Sequence, residues 1–252
     1  MLHKLTAALL LAGGFAGQAA AEERVDVELV LLADASGSID DAEILFQRQG
    51  HARAITDPLV IEAITQGYEQ RIAVTYVEWG EAASQEVVVP WTIIDGAESA
   101  AAFAERLMEP PRLAFGPNAI GNALAAGQAL IESNDITGLR KVIDFAGDSA
   151  NNWGGLPIVT ARDSALAAGI VVNGLAILCR QCNGRPVTYD LEAAFETRII
   201  GGPGAFVVTA DGRESFADAV RKKLLLEIAG LTPAQAEKRQ TARHREKRGS
   251  GD

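Results

Sequence analysis

The sequence predicts an α/β domain: one doubly wound, mostly parallel sheet with a single antiparallel edge strand and helices on both faces. Three observations carry that expectation. From residue 25 to about 229, β-rich apolar runs of strand length alternate with segments of helical spacing, the order that builds a helix-covered parallel sheet. The first run, ending in "LLADASGSID" (31–40), is apolar enough to be buried on both faces. One pair of runs, "RIAVTYVEW" (71–79) and "QEVVVPWTI" (85–93), is joined only by "GEAAS", too short for a crossover and suited to an antiparallel hairpin.

The elements follow in order. "VDVELVLLA" (25–33) is a strand, and "DDAEILFQRQGHARAI" (40–55) continues as a helix with apolar positions at Ile44, Leu45 and Ile55. The hairpin comes next, and Pro90, which lacks a ladder donor, assigns its second arm to a sheet edge. Helices are expected near 97–108 and 119–133, then the strand "KVIDFAG" (141–147) and a helix over 157–168. The strand "GIVVNGLAIL" (169–178), a helix over 190–198, the strand "AFVVTA" (205–210) and a helix over 214–229 complete the domain.

In such sheets ligands bind beyond the carboxyl ends of strands where the chain order changes side. With the first strand central, the hairpin on one flank and "KVIDFAG" on the other, that crevice receives the loops "ADASGS" and "AGDSANNWGG". Each delivers an aspartate, Asp34 and Asp148. Two carboxylates held together repel and take up protons unless a cation lies between them. Oxygen donors from Asp34, Ser36, Ser38 and Asp148 suit a hard ion, Mg2+ first, with Mn2+ or Ca2+ as substitutes. Gly37 permits the tight turn that lets Ser36 and Ser38 point the same way. The alternative for "DASGS" is a turn held by Asx-type bonds ahead of the helix that starts near Asp40.

"DASGS" at 34–38 resembles the D-x-S-x-S signature of von Willebrand factor A-type domains, and the order of elements from 25 to about 229 extends that resemblance over the domain. More narrowly, "DFAGDSANNWG" (144–154), "ARDSALAAGIVVNGLAI" (161–177) and "IGGPGAFVVTADG" (200–212) are similar to a bacterial exported family of such domains with no assigned activity. The resemblance implies a metal-ion-dependent adhesion site with ligands from three loops: Asp34, Ser36 and Ser38 from the first and Asp148 from the third. The second loop of the family supplies a threonine, and in "FGPNAIGNAL" the aligned residue is Asn118, a departure whose amide oxygen is still an acceptable hard ligand. It also implies a binding domain in a Gram-negative envelope setting; since neutral serine ligands leave an ion electrophilic, the expected ligand at its open position is the Asp or Glu carboxylate of a protein partner. The expected contact face is made by loops 34–40, 114–122 and 148–155.

Other residues read more plainly. Asp144, inside a strand, is expected to be buried and hydrogen-bonded, and Asn151 and Asn152 to satisfy loop backbone. Trp153 is either an exposed contact residue or a packed one. His51 is the core's only histidine, so a Ser-His-Asp arrangement lacks material. Phosphate-cradling G-x-x-x-x-G-K-[ST] and phosphatase-type D-x-D-x-T loops are absent. The expectation is therefore a binding module and not an enzyme, with a metal-free envelope domain or a metal-dependent hydrolase as the other readings.

Residues 1–21 combine Lys4, a short apolar stretch and a run of alanines, the pattern of a cleaved export signal, which makes the protein exported, periplasmic or secreted. Residues 22–236 carry 16 Lys and Arg against 30 Asp and Glu, a net −14 that disfavours nucleic acid. Residues 237–252 carry six against three, and the segment 231–252 is expected to be a basic, disordered tail after a domain spanning 22–230. Cys179 and Cys182 are expected to form a small disulfide in an exported chain, with a redox pair or half of a metal site as alternatives. No membrane segment is expected after the signal.

Overall fold

A computed structural model describes residues 23–178, 188–239 and 241. The signal-like segment, both cysteines and the end of the tail lie outside the described residues. The six strands are β1 (Glu23–Asp34), β2 (Ile72–Trp79), β3 (Gln85–Ile94), β4 (Ile136–Gly147), β5 (Val171–Ile177) and β6 (Val207–Ala210). They stand in the order β3-β2-β1-β4-β5-β6. β2 and β3 are antiparallel and every other pairing is parallel. β1 is therefore central, Pro90 sits on the β3 edge as expected, and the order reverses between β1 and β4.

Side chains of β1 alternate between two cores, as the period of two requires. Val27, Leu29, Leu31 and Ala33 pack toward α1 (Asp41–Ile55), α2 (Pro58–Thr65), α3 (Ala97–Met108) and α7 (Arg213–Ala229). Val30 and Leu32 face the opposite layer, α4 (Ile120–Glu132), α5 (Ile158–Ala167) and α6 (Leu191–Arg198). Burial on both faces explains why Leu29–Ala33 is apolar throughout.

α1 begins in a reciprocal cap, Asp40 accepting from the Glu43 amide while Glu43 accepts from the Asp40 amide. α2 was not anticipated from periodicity, although Asp57 caps it and Pro58 opens it, a start signal legible in "TDP". β4 starts five residues earlier than expected, at Ile136. Residues 233–239, expected to belong to a disordered tail, are helical. The cause is a second reciprocal cap: the Thr232 amide donates to Gln235 Oε1 at 2.9 Å and the Gln235 amide to Thr232 Oγ1 at 3.3 Å. Leu231 and Ala236 then pack against the α7 side of the core.

Candidate metal centre

β1 and β4 run parallel with Leu32 beside Phe145, so Asp34 ends one strand where Gly147 and Asp148 end the other. Asp34 is fully buried. Its Oδ1 accepts from the Ser36 amide at 2.8 Å and its Oδ2 from the Asp148 amide at 3.3 Å. Ser36 Oγ and Ser38 Oγ are 3.3 Å apart, and Ser38 Oγ donates to Asp148 Oδ1 at 3.1 Å. Four of the five sequence-derived ligands thus form one continuous oxygen cluster. A Cβ at Gly147 would stand 3.3 Å from Asp34 Oδ2 and 3.3 Å from the Trp79 ring, so the floor is kept small. Trp79 stacks on Phe145 beneath it and donates its indole N–H to the Ala146 carbonyl.

Asn118 lies in the adjoining wall. It is 7% exposed, its carbonyl accepts from the Trp153 amide at 2.8 Å, and its side-chain amide makes no hydrogen bond to another described residue. The second loop is also joined to the first, the Gly37 amide donating to the Gly116 carbonyl at 2.9 Å. All three loops therefore meet, although no bond links Asn118 directly to Asp34, Ser36, Ser38 or Asp148.

The electrostatics are unbalanced. Burial, reinforced by the charge of Asp148, pushes the Asp34 carboxyl up to about 8, with the bonds from Ser36 opposing. Burial likewise raises Asp148. Burial and mutual repulsion thus push the pair toward protonation. The donors fit a hard divalent ion: two carboxylates, two hydroxyls and a nearby buried amide, with no thiol or imidazole. Among the described residues no group of three or more His, Cys, Asp or Glu forms a metal cluster, which is consistent with a set whose neutral members are serines and an asparagine.

Several residues that shape the site escaped the sequence reading. Arg112 crosses from the second loop and donates to the carbonyls of Ala35 (2.5 Å), Ser36 (3.0 Å), Ile39 (2.8 Å) and Ala114 (2.9 Å). It clamps the backbone of "ASGSI" without touching either aspartate. Its signal was present, since it is the only basic residue between 107 and 139. Gln47 of α1 donates to the Asp34 carbonyl at 2.8 Å. The buried pair Arg48–Glu78, 2.7 Å apart, supports the foot of the second loop, Glu78 accepting from the Leu113 amide and Arg48 donating to the Pro110 and Pro111 carbonyls. Asn122 ties α4 to the third loop by accepting from Leu156 N–H, and Asn152, expected from sequence to satisfy loop backbone, adds a second tie by accepting from Gly121 N–H. Gly121 is required there, because a Cβ would overlap the Leu156 carbonyl. Tyr189 reaches over from the start of α6, its hydroxyl accepting from the Ala150 amide at 2.9 Å. His51 stays away from this end, buried against Tyr76 and Phe216, with burial lowering its pKa. Trp153, left open by sequence, is 72% exposed.

The family model described as "Protein of unknown function (DUF1194)" matches residues 24–232. The chain belongs to the DUF1194 family. A search of the curated proteins found no match. Among solved structures, the DUF1194 chain is similar to the pilus adhesin SpaC from Lactobacillus rhamnosus GG, at 15% identity and a TM-score of 0.58, over 81% of this chain and 30% of that one. It is also similar to proximal thread matrix protein 1 of the mussel byssus, solved with a zinc-occupied MIDAS motif, at 16% identity and 0.58, over 82% and 49%. A third is the von Willebrand factor domain of the pilus tip protein Mfa5 from Porphyromonas gingivalis, at 7% identity and 0.54, over 82% and 97%. The DUF1194 domain thus has the von Willebrand factor A-type fold, while spanning less than half of the first two neighbours. Among the described residues no helix is long and apolar enough to cross a membrane.

Proposed function

We propose that the protein is an exported, metal-dependent binding module that engages the Asp or Glu carboxylate of a protein partner, and that it binds without turnover. Asp34, Ser36, Ser38 and Asp148 would hold Mg2+, or Mn2+ or Ca2+, with Asn118 completing the set directly or through water. The observation that carries this is the crowded pair of buried Asp34 and half-buried Asp148, joined by the Asp148 amide, with Ser38 bonded to Asp148, and driven toward protonation by burial and mutual charge. When bound, the ion offers an open position to an anionic side chain. The neutral serines keep the positive charge from being cancelled by the protein itself. Arg112, Asn122 and Asn152 keep the three loops in register. The likeness to adhesins and to a metal-occupied neighbour supports this reading, as does the signal-like start of the chain.

Calorimetric titration of chelator-stripped protein with Mg2+ and Mn2+ tests it. The wild type is expected to bind saturably and gain thermal stability, Asp34→Ala to lose binding, and Asn118→Thr to bind roughly tenfold tighter through a shorter oxygen ligand. No binding by the wild type at millimolar ion would overturn the proposal.

A further inference from the structure

We infer that the partner meets this face with two acidic side chains, one on the ion and a second at Arg198, while an apolar residue of the same segment packs on Trp153. The inference rests on the metal-binding reading above. A cavity of about 410 Å³ opens beside the third loop, lined by Asn151, Asn152, Ile158, Val159, Arg162 and Arg198 among others. Its two guanidinium groups differ. Arg162 is already engaged, bonded to Asp163 at 2.8 Å and bracing the carbonyls of Thr197 (3.4 Å) and Arg198 (3.3 Å). The guanidinium of Arg198, exposed at the end of α6, makes no ion pair or hydrogen bond with another described residue. In a chain of net charge −10, an unengaged guanidinium in a concavity that begins two residues after Asp148 is complementary to an anion that most of the surface repels.

The surrounding surface defines the rest of the partner. Trp153 (72% exposed), Phe115 (53%), Leu156 (42%) and Val159 (51%) project from the second loop, the third loop and the start of α5. Scattered exposed apolar residues are ordinary. Here the Trp153 amide donates to the Asn118 carbonyl, which seats exposed Trp153 next to the second metal loop. Trp and Arg are residue types enriched where binding energy concentrates. The fitting ligand is an acidic peptide segment with an interleaved apolar residue, and an extended polyphosphate is disfavoured by the acidic flank.

The test uses the chain from residue 22 onward and fluorescein-labelled octapeptides that carry one Leu and either one Glu or two Glu at varied separations. Binding is read by anisotropy in Mg2+ and in EDTA. The best two-acid peptide is expected to bind about tenfold more tightly than the one-acid peptide in Mg2+. Arg198→Ala should erase that advantage while leaving one-acid affinity and the Mg2+ titration unchanged, and Trp153→Ala should weaken both peptides. No two-acid advantage at any separation, or one that survives in Arg198→Ala, overturns the inference. Failure of the metal reading looks different: no Mg2+ uptake and no one-acid binding. In that case Arg198-dependent capture of the two-acid peptide in EDTA supports the second contact, and its absence overturns it.

Discussion

Two acidic pairs lie against the central strands, one wholly buried and one pairing buried Asp34 with half-buried Asp148, and the protein provides for them differently. Asp144 of β4 and Glu227 of α7 share Lys223, whose ammonium lies 2.9 Å from Asp144 Oδ1 and also binds Glu227 Oε1. Asn173 adds a bond to Glu227 at 2.9 Å, and all three ionisable side chains are essentially inaccessible. Asp34 and Asp148, at the carboxyl ends of neighbouring strands, receive hydroxyls and amide N–H groups but, among the described residues, no ammonium or guanidinium. Arg112 reaches the same loop and bonds only its carbonyls. On the metal reading proposed above, the second site would take from outside the cation that Lys223 supplies to the first.

The comparison breaks most sharply at Lys223. Lys223→Met removes the internal cation and leaves Asp144 and Glu227 buried together. Urea denaturation should show a loss of about 3–5 kcal/mol, the usual effect of orphaning a buried charge. A loss below about 1 kcal/mol would mean that the pair is protonated and indifferent to its lysine, and the contrast between the two sites would collapse.

The pH response separates the pairs. Asp34 is raised from 3.8 to about 8 and Glu227 from 4.5 to about 7 by burial, with Lys223 opposing and Asp144 adding at Glu227. For each, the folded state keeps a proton that the unfolded state has lost, so stability without metal falls as pH rises between the two values. Buried His51 has its pKa lowered from 6.5, so it works in the opposite direction only below that value. Between pH 7 and 8, beyond Glu227, the remaining decline belongs mainly to Asp34. Denaturation of stripped protein should lose on the order of 1 kcal/mol across that unit. Asp34→Asn should flatten the profile there, as should saturating Mg2+ in the wild type. An unchanged slope in Asp34→Asn would place the proton elsewhere.

Much of this was legible in the sequence. β1 and "KVIDFAG" had the composition of strands buried on both faces, "GEAAS" excluded a crossover, and Pro90 marked the edge, so the junction of Asp34 and Asp148 followed from topology alone. What stayed hidden depended on long-range hydrogen bonds. Nothing local in "EPPRLAF" says that Arg112 will find carbonyls 73 to 77 residues away, and nothing in α7 says that Lys223 will meet Asp144 across the sheet. The helix after Thr232 was missed for another reason: charge dominated the reading of the tail, although "TPAQ" carried a capping box with proline at the first helical position.

Arg112 offers the finest cut between the sites, because it acts on the geometry of the oxygen cluster and not on its charge. Its guanidinium fixes the carbonyls of Ala35, Ser36 and Ile39, which sets where the Ser36 and Ser38 hydroxyls stand relative to Asp148. Asp41, its one carboxylate contact at 3.5 Å, is 88% exposed and adds little. Arg112→Ala should lower stability by about 1–3 kcal/mol, since the four carbonyls it releases belong to buried residues. It should weaken Mg2+ binding roughly tenfold, the scale on which residues behind a metal's ligands act. Arg112→Lys should recover little of that affinity, because an ammonium cannot reproduce a planar fork shared among four carbonyls. Calorimetric titration of both variants at one pH decides the matter. Loss of stability without loss of affinity would make Arg112 a loop brace alone, whereas loss of affinity with the fold intact would show that the external cation depends on a clamp made by a residue that never touches it.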